Sequence, residues 1–113
     1  MAKYLISFPS AAMRIDAEDM DAVVADSHAV IREAKWAGVY VFAGGLDDAV
    51  APVTIHPDGH HSPDTHPHSR HLNGGFCILE LPTRDAALEW AAKLAKACRC
   101  PQELRVFMYD EES

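Results

Sequence analysis

Three stretches of this chain, VYVFA (Val39–Ala43), FCILEL (Phe76–Leu81) and ELRVFMY (Glu103–Tyr109), carry apolar side chains at neighbouring positions. Neighbouring side chains on a strand point to opposite faces, so a sheet built from these runs is apolar on both sides. An antiparallel sheet solvated on one side alternates apolar with polar residues instead. Whatever fold the chain adopts must therefore cover both faces of its sheet.

The elements around these runs read clearly. KYLISF (Lys3–Phe8) sets Tyr4, Ile6 and Phe8 on one face and Leu5 and Ser7 on the other, then stops at Pro9-Ser10. Ala17 to Ala37 repeats apolar residues at helical spacing (Met20, Val23, Val24, Val30, Ile31, Ala34, Ala37), with Asp16 as N-cap and Gly38 as stop. VTIH followed by Pro57-Asp58-Gly59 predicts a short hairpin or a strand edge. Pro82-Thr83 then opens a second helix, RDAALEWAAKLAKA, with Thr83 as N-cap and Asp85 in the first turn. Asn73, Gly74 and Gly75 read as turn residues with positive φ.

The resulting order is β-α-β-hairpin-β-α-β, the split βαβ arrangement of an α+β, ferredoxin-like sandwich with a small insertion. A chain of 113 residues holds one such domain, residues 1–113. Both helices cover one face of the sheet. A second copy of the same chain is the simplest cover for the other, which makes a homodimer the expected state.

Charge and cysteine usage narrow the function. A formal charge of −7, with acidic residues gathered in DAEDMD and DEES, offers no basic stripe to nucleic acid. MAKYLISFPS has neither the charge pattern nor the apolar length of a signal peptide or membrane span. The three cysteines Cys77, Cys98 and Cys100 are odd in number and suit reduced, buried thiols. A cytoplasmic location without a membrane partner is the expectation.

Two sets of residues carry candidate chemistry. On the first helix His28, Arg32, Lys35 and Trp36 form a strip at i, i+4, i+7 and i+8: an imidazole for proton exchange beside a cationic and aromatic wall. The second set lies in HPDGHHSPDTHPHSRH (His56–His71), which holds six of the seven histidines. His66 and His68 would share a side if that segment were extended, with His71 or Asp64 as a third ligand and an open position for water. Zinc or another divalent metal is the only cofactor the sequence suggests. Arg70 and His71 stand where this loop re-enters the sheet, placed to hold an anion. Gly44-Gly45, at the end of the second strand, would let a ligand approach the backbone.

KYLISF, AGVYVFAGGL, LNGGFCILELPTRDAALEWAAKLA and QELRVFMYD together resemble the YCII-related (DGPF-domain) family of small bacterial proteins over nearly the whole chain. The resemblance implies a dimeric α+β barrel in which two ferredoxin-like sheets pack face to face. It also implies a pocket for small aromatic or chlorinated compounds served by a His/Asp pair. The histidine such proteins carry on the first helix corresponds by strict count to Ser27, with His28 one residue on. THPHSRHLNGG stands where relatives carry a short acidic and threonine-containing run before the two glycines, and the DGPF motif itself is absent.

The function expected from these readings is a homodimer that binds a small aromatic or anionic molecule beside the sheet, with acid-base chemistry by His28, His66 and His68. Arg70, His71, Arg32 and Trp36 would hold the ligand. The alternatives are a divalent-metal protein using His66, His68 and His71, and a non-catalytic dimeric interaction module.

Overall fold

A computed structural model describes all residues, Met1–Ser113. Its elements are β1 (Ala2–Phe8), α1 (Met20–Trp36), β2 (Tyr40–Gly45), β3 (Thr54–Ile55), β4 (His61–Ser62), β5 (Gly75–Leu81), α2 (Arg84–Cys98) and β6 (Glu103–Val106). Four strands form one sheet in the order β2-β5-β1-β6, every pair antiparallel. The molecule is thus an α+β fold with two helices on an antiparallel sheet. β3 and β4 pair separately as the expected hairpin around Pro57-Asp58-Gly59, with Gly59 at φ 92°.

One face of the sheet meets the helices. Register places Tyr4 opposite Leu79, Ile6 opposite Cys77 and Ala2 opposite Leu81, and these side chains pack with Ala34 of α1 and with Ala87, Ala91 and Leu94 of α2. Ile6, Leu79 and Leu81 are almost fully buried, each contributing about 1.5–3 kcal/mol through loss of apolar surface to water. α1 turns Val23, Val30, Ile31 and Ala34 inward at helical spacing. Met108 is 93% exposed in the single chain.

Both helices end as their sequences dictate. At the C-terminus of α1, Gly38 adopts φ 76° and its N–H reaches the Lys35 carbonyl, while Val39 N–H reaches Ala34. This paired closure satisfies carbonyls the helix leaves open. Thr83 Oγ1 caps α2 by accepting the Ala86 N–H at 3.1 Å. Arg99 takes the left-handed conformation at the other end, φ 56°, and its guanidinium holds Asp26 of α1 at 2.9 Å.

Four expectations are corrected. The first helix starts three residues late: Ala17–Asp19 form a 3-10 turn, and the Asp16 side chain caps nothing. Gly74 and Gly75 have no positive φ and serve instead as points of close approach. A β-carbon on Gly74 would lie 2.0 Å from the Phe8 carbonyl oxygen, and one on Gly75 would lie 2.5 Å from the Phe8 ring. Asn73 lacks positive φ too; its Oδ1 accepts the Ser10 N–H at 3.1 Å, tying the loop to the end of β1. Finally, β2 is not a regular strand. Tyr40 pairs with Leu79 and Phe42 with Ile78, so Val41 is an extra residue in a β-bulge.

The bulge sends Tyr40 and Ala43 to the helix face and Val41 and Phe42 to the other. That second face carries Leu5, Val41, Phe42 and Ile78, with Phe42 55% and Val41 43% exposed in the single chain. The Lys3–Glu80 and Arg105–Glu103 ion pairs, at 3.5 and 3.6 Å, flank it. No helix of the chain is long and apolar enough to cross a membrane.

Candidate functional site

A cleft of about 420 Å³ opens between α1 and the end of the sheet where β2 finishes and β5 begins. Its size falls within the usual range for small-molecule sites, about 300–1,000 Å³. Ser27, His28, Ile31 and Lys35 of α1 form one wall. Tyr40 and Ala43 of β2, Ile6 of β1 and Cys77 of β5 lie across from them, and Met13, Cys98 and Gln102 complete the surround. Gly44 and Gly45 also line it, where the paired glycines bring bare backbone to the cleft.

Helix geometry decides which residues of the first candidate set take part. At about 100° per residue, His28, Ile31 and Lys35 share an arc of about 60°, while Arg32 and Trp36 sit about 40° and 80° beyond His28 on the far side. His28 and Lys35 accordingly line the cleft; Arg32 and Trp36 do not. Trp36 is 91% exposed and stands outside this cleft.

The electrostatics of the cleft differ from those of the chain. None of the 17 acidic residues is among the residues lining it, whereas Lys35 and His28 are. Lys35 makes no ion pair; its Nζ lies 4.9 Å from the centre of the Tyr40 ring. The Tyr40 hydroxyl oxygen accepts the Ala43 N–H at 3.2 Å. Burial, with the neighbouring Cys98 thiol, pushes Cys77 from its ordinary 9.0 up to about 11. Burial, then Cys100, raises Cys98 despite the opposing Arg99 charge. Both thiols that line the cleft are therefore neutral at physiological pH.

The raised Cys77 value has a measurable consequence. Its thiol proton is held more tightly in the folded chain than in the unfolded one, so this contribution to stability is complete below about pH 9. It drains away as pH climbs from 9 towards 11. The urea midpoint should fall over that window, and fall less in Cys77→Ala; identical pH profiles for the two proteins would contradict the assignment.

The second candidate set lies elsewhere. Pro67–Ser69 form a 3-10 turn, and the His66 carbonyl accepts both the Ser69 N–H and its hydroxyl, at 3.0 and 3.1 Å. Successive residues in such a turn rotate by about 120°, so His66 and His68 do not share a side as an extended pair would. His66, His68 and His71 are exposed and line no part of the cleft, and their ring nitrogens do not gather into a three-ligand set. The three ligand-type side chains that do come within 4.8 Å of one another are Asp16, Glu18 and Asp19, all exposed. Arg70 lines a separate depression with Pro52, Pro63, Asp64, Thr65 and Pro67.

Earlier in the loop the histidines are engaged locally. His56 and His60 stack with ring centres 4.0 Å apart, and His60 Nδ1 lies 2.5 Å from Asp58 Oδ1. The backbone N–H and the ring of His60 together hold the Asp58 carboxyl below the usual carboxylate range. His56 Nε2 lies 3.0 Å from Ser62 Oγ across the hairpin.

Tyr40, Cys77, Cys98 and Gln102 were not among the sequence candidates for a ligand site. Of the sequence candidates, the cleft brings together His28, Lys35 and the Gly44-Gly45 pair. No protein-family model matches the chain, and no curated protein shows significant similarity to it.

Proposed function

We propose that this chain binds a small aromatic or anionic molecule in the cleft between α1 and the sheet, with His28 as the group that exchanges a proton with it. The observation that carries the reading is that His28, Lys35 and Tyr40 line one largely apolar cleft free of carboxylates. Its apolar lining suits the body of a flat molecule, and its few polar groups suit orientation. His66 and His68 drop out of the catalytic role because they line no part of the cleft.

The resemblance to YCII-related proteins agrees with this use of the fold. The strand order β2-β5-β1-β6, with one helix after β1 and one after β5, supports the ferredoxin-like reading. The exposed Val41 and Phe42 support a homodimer closed through the second face of the sheet, as in a dimeric barrel. Three free cysteines accord with a cytoplasmic location.

A thermal-shift screen of small carboxylates and phenols tests the binding role. Ligands that stabilise the wild type should stabilise His66→Ala equally and bind His28→Ala about 5–10-fold more weakly. A ligand held alike by all three proteins would remove His28 from the site.

A further inference from the structure

Among the cations of the chain, Lys35 is set apart by its place in the cleft. Lys3, Lys93, Arg99 and Arg105 each face a carboxylate. Arg14, Arg32, Arg70, Arg84 and Lys96 face none, and neither does Lys35. It is the only Lys or Arg lining the cleft, and its ammonium sits over the Tyr40 ring. An ammonium on an aromatic face retains donors for a further partner.

Tyr40 supplies a second donor. Its hydroxyl oxygen is already occupied as an acceptor by the Ala43 N–H, so the O–H proton is what it has left to offer. The Val41 bulge turns Tyr40 towards α1 and so under Lys35. The neutral thiols of Cys77 and Cys98 add no competing negative charge.

We propose that Lys35 and Tyr40 form a carboxylate-reading pair, and that the ligand of the cleft is a small planar monocarboxylate whose neutral amide counterpart is rejected. This rests on the cleft being the binding site, as argued above, and names its ligand class and its specificity residues. The carboxylate accepts from the Lys35 ammonium and the Tyr40 hydroxyl; the planar body lies along Ile31, Ile6 and Ala43. A hydrogen bond to a charged partner discriminates more strongly than a neutral one, which is why the charge is what the pair selects.

Benzoate and benzamide, equal in shape and differing in charge, are the probes. Binding is followed by the methyl NMR signals of Ile6, Ile31 and Ala43 in the wild type, Lys35→Met, Tyr40→Phe and, as a control away from the cleft, Lys96→Met. Benzoate should bind the wild type and Lys96→Met alike and at least about tenfold more tightly than benzamide. Lys35→Met should abolish that preference with benzamide binding unchanged, Lys35→Arg should restore part of it, and Tyr40→Phe should reduce it several-fold. Equal binding of the two probes, or a preference untouched in Lys35→Met, overturns the carboxylate-reading pair and leaves the cleft as a binding site. Failure of both probes and of phenol to move any of these methyl signals overturns the pair and the cleft reading together.

Discussion

Gly74→Ala is expected to leave the chain unfolded or to lower its stability by about 4 kcal/mol or more, read as loss or collapse of the urea transition. The added β-carbon would lie 2.0 Å from the Phe8 carbonyl oxygen, 2.8 Å from the Ser10 nitrogen and 2.9 Å from the Pro9 carbonyl carbon. All three atoms are backbone, so no side-chain rotation relieves the clash. Relief requires separating the end of β1 from the start of β5, the central pair of the sheet. It would also disturb the Gly74 carbonyl that accepts the Leu46 N–H at 2.9 Å. Gly75→Ala meets only the Phe8 ring, which can turn aside, and should cost about 1–3 kcal/mol. Equal, small effects of the two substitutions would show that the approach at Gly74 is not tight.

Phe42→Asp should convert the proposed homodimer into a monomer of 12.4 kDa without unfolding it. Phe42 is 55% exposed in the single chain, so the isolated fold loses little packing when it is replaced. In a dimer closed through this face the aspartate would be buried opposite apolar side chains. Burying a carboxylate without a partner costs several kcal/mol, enough to dissociate a typical dimer at micromolar concentration. Sedimentation equilibrium of wild type and variant decides the matter. A wild type that sediments at the single-chain mass, or a variant that keeps twice that mass, would exclude association through this face.

The parts of the fold legible in the sequence were those fixed by local rules. KYLISF, with Tyr4, Ile6 and Phe8 on one side and Pro9 as its stop, became β1, and Thr83 with Asp85 marked the start of α2 to the residue. Pro57-Asp58-Gly59 located the hairpin turn. What escaped depended on contacts between segments. Whether Lys35 or Trp36 faces the ligand follows from the angle at which α1 docks on the sheet, and a strip at i, i+4, i+7 and i+8 spans both outcomes. The pairing of His66 with His68 assumed extended backbone, and the 3-10 turn at Pro67 removed it. The glycines at 74 and 75 were recognised as special, but the reason, the nearness of Phe8 sixty-odd positions earlier, lies outside any local window. The bulge at Val41 was hidden because VYVFA is apolar throughout and so gives no alternation to interrupt.

That single extra residue has a consequence for how such a chain can diverge. In a regular strand Tyr40 and Phe42 would face the same way, and one substitution pattern would govern both. With Val41 inserted, two aromatic residues two positions apart answer to different surroundings, one to the cleft beneath α1 and the other to the outer face. Changes at residue 42 can accumulate without touching what residue 40 contacts, and the reverse holds as well. Deleting Val41 would restore regular alternation and leave the two as immediate neighbours on opposite faces.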